Sequence, residues 1–204
     1  MQETKMIQPT VPNPPERAIR INIGRALGFT MIELLMTIAI AAILMSLAVP
    51  SFRYITNSNR IASELNGLLG DLQLARAQAI KEGRNVTVCE SDDGLSCTGF
   101  ANWERGWIVF SDPTNVGVYD AGEIYVRKQK RFSGSDTFVA SNTVSVISFN
   151  RQGYAVGIAN NGVLLTLNDS TNTASWTRCL FINLSGQMMS ERVGVTPTNG
   201  VPCT

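Results

Sequence analysis

Histidine is missing from all 204 residues. Its absence removes the commonest general base and the commonest metal ligand. It also removes Ser–His and Cys–His nucleophilic catalysis. The four cysteines contain no CxxC pair, so a zinc site has neither of its usual spacings. No glycine-rich phosphate loop leads into a helix, and no heptads, repeats or low-complexity tracts occur. Charge of one sign is lacking as well: 17 Lys and Arg meet 16 Asp and Glu, a formal net charge of +1. A bulk basic field of the kind that gathers nucleic acid is therefore absent. These gaps argue against an enzyme, and they imply no cofactor and no metal.

What is present is concentrated between Gly28 and Pro50, GFTMIELLMTIAIAAILMSLAVP. Leu34 to Val49 carries no charge, and only Thr37 and Ser46 there are mildly polar. A bilayer core needs about 20 apolar residues as a helix, and residues 29–49 supply that length if Glu33 is tolerated. A carboxylate inside a membrane helix costs about 2.5–3.5 kcal/mol on insertion scales, so Glu33 reads as functional and in need of a partner. An ordinary secretory signal places a small-x-small site after its apolar core. Here the polar-to-apolar junction precedes the core, so the anchor is retained.

G-F-T-x-I-E-L-L at the head of an apolar helix resembles the class III signal of type IV pilins and pseudopilins. The resemblance implies that a prepilin peptidase cuts after Gly28 and methylates the new amine of Phe29. It implies that Glu33 pairs with the N-terminal amine of a neighbouring subunit in a filament. Residues 1–28 then form a cleaved leader. Pro9, Pro12, Pro14 and Pro15 oppose regular helix there. Arg17, Arg20 and Arg25 keep that end cytoplasmic, which sends the chain after the helix to the far side of the inner membrane. Loss of the leader removes four cations and two acids and turns the net charge from +1 to −1.

Past Pro50, which is expected to kink or loosen the helix, the pattern becomes amphipathic over 50–84. Ile61, Leu65, Leu68, Leu69, Leu72, Ala75 and Ala79 follow helical spacing, while Arg60, Glu64, Asp71, Gln73 and Gln78 fill the other faces. Gly83 is placed to end the helix. From Asn85 seven short β-branched or aromatic runs follow, NVTVCE, GWIVFSD, GEIYVRKQ, TVSVISFN, YAVGIA, GVLLTLN and TRCLFINLS. Thr166–Thr177 is the most polar stretch and reads as an exposed loop. The fold class expected is α+β: a long N-terminal α-helix, transmembrane then amphipathic, packed on an antiparallel β-sheet head over 85–204.

Trp103-Glu-Arg-Gly-Trp-Ile-Val-Phe110, followed by Asp112, Asn115, Gly117, Asp120, Gly122 and Glu123, is similar to the GspH/FimT class of minor pilins and pseudopilins. Leu74-Ala-Arg-Ala-Gln-Ala-Ile80 fits the same class. The resemblance covers most of residues 28–150. It implies a low-abundance structural component at or near the tip of a type IV pilus or a type II secretion pseudopilus. Its partners would be other major or minor pilins or pseudopilins, the prepilin peptidase and the inner membrane, with the head in the periplasm.

Cys89, Cys97, Cys179 and Cys203 make an even count facing an oxidising compartment, which favours disulfides. Of three possible pairings, Cys89–Cys97 and Cys179–Cys203 are preferred because each closes a local loop. Chain entropy assigns them about 2.5 and 3.5 kcal/mol. The oxygen-rich run Asp112–Glu123 superficially resembles a calcium loop, but its spacing and residues suit a hairpin turn better. Asp92-Asp93 reads as surface charge, and Trp103, Trp107 and Trp176 as core anchors. The basic run Arg127, Lys128, Lys130, Arg131 suits a solvated edge strand. Its alternative use is a phosphate-tracking DNA patch. Some pilins similar to FimT act as DNA receptors in natural transformation, and the resemblance would put a Gly-Arg-x-Arg motif near the C-terminus. Here Gln187 and Met189 stand where those arginines would be, Glu191 adds the wrong sign, and only Arg192 remains.

Overall fold

The computed structural model describes residues 28–113, 117–194 and 202–203. The expected leader up to residue 27, and Asn115, lie outside the described residues. The chain divides into two compact units, Met1–Ser46 and Leu47–Thr204. A single helix, α1, covers Met31–Glu82 and continues through Pro50. Within the first unit every described residue is exposed, including Phe29, Met31, Ile32, Leu34 and Leu35. An 18-residue window of α1 has mean hydropathy 2.4 and none of it is buried, so this helix is long and apolar enough to cross a membrane.

In the second unit α1 lies against two antiparallel sheets. The strands are β1 (Val86–Glu90), β2 (Gly106–Ser111), β3 (Tyr125–Lys130), β4 (Thr137–Ala140), β5 (Val146–Phe149), β6 (Ala155–Val156), β7 (Val163–Asn168), β8 (Arg178–Ile182) and β9 (Met188–Arg192). One sheet has the order β3-β2-β1-β5-β6 and the other β4-β7-β8-β9. β1, β2 and β8 are buried throughout, as their near-continuous apolar runs require, whereas β7 alternates. A bridge between Asn102 and Val139 ties the β1–β2 connection to β4.

Ile61, Leu65, Leu68, Leu72, Ala75 and Ala79 recur at steps of three and four and are all buried. They join Val86, Val88, Trp107 and Val109 of one sheet and Leu165, Leu167 and Leu180 of the other in one core. Each large aliphatic side chain so buried contributes about 1.5–3 kcal/mol. The helix stops where Gly83 takes φ +68° and its N–H reaches the Ala79 carbonyl at 3.0 Å. A smaller cluster of Cys89, Ile108 and Phe110 gathers Tyr119, Tyr125 and Val146.

The observed fold is the expected one: a long helix on antiparallel sheets. Three local expectations need correction. Asp71 does not occupy an outward face but is buried. Two strands, β4 and β9, have no counterpart among the seven runs, and Thr166–Asn168 belong to β7 rather than to a loop. The sequence of β9, Met-Met-Ser-Glu-Arg, has little β-propensity, and its pairing with β8 supplies the reason it extends.

Candidate functional site

The segment singled out from the sequence begins at Gly28, where an added Cβ would meet nothing within 4 Å. Thr30 precedes the helix, and its Oγ1 accepts the Glu33 N–H at 3.2 Å while its carbonyl accepts the Leu34 N–H at 3.1 Å. Thr30 is thus the N-cap and Glu33 the third helical residue, an arrangement that T-x-x-E spells out in sequence. Glu33 lies in the first turn, where helix partial charge favours an anion. Among the described residues, no hydrogen bond or ion pair reaches its carboxylate. Farther along, Thr37 Oγ1 donates to the Leu34 carbonyl at 2.8 Å and Ser46 Oγ to the Ile43 carbonyl at 2.7 Å. Both hydroxyls are satisfied inside the helix, so the run presents an apolar surface with one acid near its start.

In the second unit Arg127, Lys128 and Lys130 fall on β3, an edge strand, and Arg131 follows its last residue. A register shift opposite Val109 and Phe110 puts Val126 and Arg127 on the side facing α1. Arg127 Nε donates to Asp71 Oδ1 at 2.8 Å, and Trp107 Nε1 donates to Asp71 Oδ2 at 2.8 Å. The buried carboxylate therefore serves two donors. Lys128 places its ammonium 3.6 Å from the centre of the Tyr125 ring. Burial, with neighbouring Tyr119, pushes the Tyr125 hydroxyl up to about 12. Lys130 follows on the edge, and Arg131 lines a groove of about 390 Å³ with Ser63, Glu64 and Trp107. Arg192 is far along the sequence in β9, directly opposite Arg178, whose guanidinium donates to the Ser175 and Thr177 carbonyls. Burial and the Arg192 charge hold the pKa of Arg178 below its ordinary value.

The cysteines form two disulfides, Cys89–Cys97 and Cys179–Cys203. Inside the first loop Asp93 accepts the Leu95 and Ser96 N–H groups at 2.7 and 3.0 Å, and these bonds hold its carboxyl down to about 2. Asp92 pairs with Arg105 at 2.6 Å. The two acids organise the loop rather than merely decorating the surface. Asp112 accepts the Thr87 hydroxyl and the Gly117 N–H at 2.8 and 2.7 Å, and Glu123 accepts the Asp120 N–H at 2.9 Å. The Gly117 and Asp120 bonds are internal to a turn, and the Thr87 bond ties its start to β1. Trp103 and Trp107 are fully buried, and Trp103 donates to the Val144 carbonyl at 2.9 Å. Trp176 is partly buried, 5.9 Å from the ring of Tyr54.

Two features escaped the sequence reading. Arg76 donates from Nε to the Gly153 carbonyl at 2.9 Å and from Nη2 to the Ser185 carbonyl at 3.2 Å, fastening one turn from each sheet to the helix. Gly186 packs under that guanidinium at φ +73°, where a Cβ would run into the Gly153 carbonyl and Arg76. So the Gly186 stretch is built around packing, with Gln187 bonded to Asn183 at 3.1 Å. The second is Asp71. Its spacing from Leu68 and Ala75 puts it beside the buried stripe, a signal that was available.

A family model described as Type II transport protein GspH matches residues 64–186, and one for the prokaryotic N-terminal methylation motif matches 24–49. No curated protein sequence matches. Among solved structures the chain is similar to the type IV minor pilin FimU of Pseudomonas aeruginosa PAO1 in two crystal forms. The first has 19% identity and a TM-score of 0.55, and covers 74% of this chain and 99% of that one. The second gives 19%, 0.52, 70% and 99%. The minor pseudopilin EpsH from the type 2 secretion system of Vibrio cholerae is similar at 10% identity and a TM-score of 0.44, over 64% of this chain and 94% of EpsH. With one model spanning more than half of the chain and the other lying on its apolar helix, the protein belongs to the GspH family of minor pilins and pseudopilins.

Proposed function

We propose that the protein is a minor structural subunit of a type IV pilus or type II secretion pseudopilus, cleaved after Gly28, methylated on Phe29 and assembled through its N-terminal helix. Before assembly the helix anchors it in the inner membrane with the β head in the periplasm. Its role is structural, not catalytic. The observation that carries the reading is the exposed apolar N-terminal stretch of α1, with one acid, Glu33, in its first turn that has no partner among the described residues. An amine at matching depth on a neighbouring subunit would neutralise that acid, so Glu33 sets the register of docking while apolar burial among helices drives it. Glu33→Ala is expected to leave the protein stable in the membrane and to lower its incorporation into filaments, read by immunoblotting sheared filaments against membranes. Unchanged incorporation would sink the role given to Glu33.

Duplex DNA as the partner draws on less. Arg127 and Lys128 are engaged by Asp71 and Tyr125, which leaves Lys130, Arg131 and Arg192 to track phosphates. Gel shifts with the full chain measure it, a receptor losing duplex steeply as salt rises.

A further inference from the structure

Three charged groups meet where α1 passes the segment leading into β4. Arg60 and Glu64 stand one turn apart on α1, and Asp136 immediately precedes β4. Arg60 Nη2 donates to Asp136 Oδ1 at 2.9 Å and to Asn57 Oδ1 at 3.4 Å. The Asp136 side chain has 0% exposure. Glu64 is half-buried. Among the described residues, Glu64 Oε2 and Asp136 Oδ2 are buried with no donor, and Arg60 Nε is buried with no acceptor. Leaving such oxygens unpaired is costly, and two carboxylates against one guanidinium leave an excess negative charge in a poorly solvated place.

The other charges around the cluster do not cancel it. Arg131 lines the groove beside Glu64 from the end of β3. Asp169, in the β7–β8 turn, draws on Arg60 from the other side. Glu104 accepts the Phe138 N–H at 3.0 Å. Asp71, two turns on along α1, is spent on Trp107 and Arg127. A proton is what satisfies both orphan oxygens at once, because a protonated Glu64 can donate to Asp136 while Asp136 stays ionised for Arg60.

We propose that Glu64 and Asp136 hold one proton between them, so that the contact of α1 with the segment before β4 is a pH-sensitive latch. It is closed below neutrality and loosened once Glu64 ionises. Burial first, and the Asp136 charge second, raise the Glu64 carboxyl from 4.5 to about 7, with Arg60 pulling the other way. The folded chain therefore keeps this proton to about pH 7, whereas the unfolded chain releases it near 4.5. Its contribution is fully present below 4.5 and drains away as pH rises to 7.

The test uses full-length protein in detergent micelles, wild type against Glu64→Gln, melted across that pH range. Glutamine keeps a donor for Asp136 and cannot ionise. The melting temperature of Glu64→Gln should gain steadily on the wild type between pH 4.5 and 7 and hold its lead above. Acids elsewhere titrate in both proteins and cancel. A constant gap across the window overturns the proposal. Infrared spectroscopy of the wild type decides independently of how the variant folds. A protonated-carboxyl band at about pH 6, lost by about pH 8, is expected, and its absence at the lower pH overturns the latch.

Discussion

Replacing Asp71 by alanine isolates the polar contact at the centre of the helix–sheet interface. The carboxylate is buried and accepts from Trp107 Nε1 and Arg127 Nε, each at 2.8 Å. Trp107 is itself fully buried, so alanine strands an indole N–H away from water at a cost of about 1–3 kcal/mol. The Arg127 side chain is 56% exposed, so its pairing is screened and adds only about 0.2–1 kcal/mol. The expected loss is about 1–4 kcal/mol. For a unit of this size that lowers the melting temperature by roughly 2–16 °C. Asp71→Asn keeps an acceptor for the indole and should lose only about 1 kcal/mol. Thermal and denaturant melts of the full chain in detergent read both variants. The double-mutant cycle of Asp71→Ala with Trp107→Phe reads their coupling. A change under about 0.5 kcal/mol for alanine, or equal losses for alanine and asparagine, would refute the assignment of Asp71 as the acceptor for Trp107.

Further expectations are as direct. Gly28→Ala should be processed in part, and a bulky residue there should block removal of the leader, read as a mass shift. Gly186→Ala should destabilise by about 1–3 kcal/mol, because its φ of +73° and the Gly153 carbonyl leave no room for a Cβ; an unchanged melting curve would contradict the packing described under Arg76. Reducing or removing Cys179–Cys203 should cost about 2–4 kcal/mol and expose the C-terminal residues to exopeptidase, followed by mass spectrometry. Asp93, held down to about 2 by the Leu95 and Ser96 amides, keeps its loop in order above pH 3.8 and lets it go as pH falls through 2. Protection of those two amides in hydrogen exchange should drop over that window.

The helix and the apolar positions of its buried face were legible because a period of three to four leaves a plain mark from Ile61 to Ala79, and glycine ends it at 83. Continuous runs such as GWIVFS and RCLFI announced the covered strands for the same reason. β9 was invisible because its extension is imposed by β8 rather than by its own residues. The N-terminal segment is legible as a motif, and the same T-x-x-E spacing also encodes the cap that Thr30 gives the Glu33 amide. Asp71, Arg76 and the Arg60–Glu64–Asp136 cluster depend on pairs 36 to 109 residues apart. No local pattern encodes such pairs.

Arg76 carries a mechanical consequence. Its guanidinium grips the β5–β6 turn through Gly153 and the β8–β9 turn through Ser185, and the Ala155 amide meets the Leu184 carbonyl alongside at 3.0 Å. Tension on this part of the helix is shared between both sheets in shear, instead of peeling one of them away strand by strand.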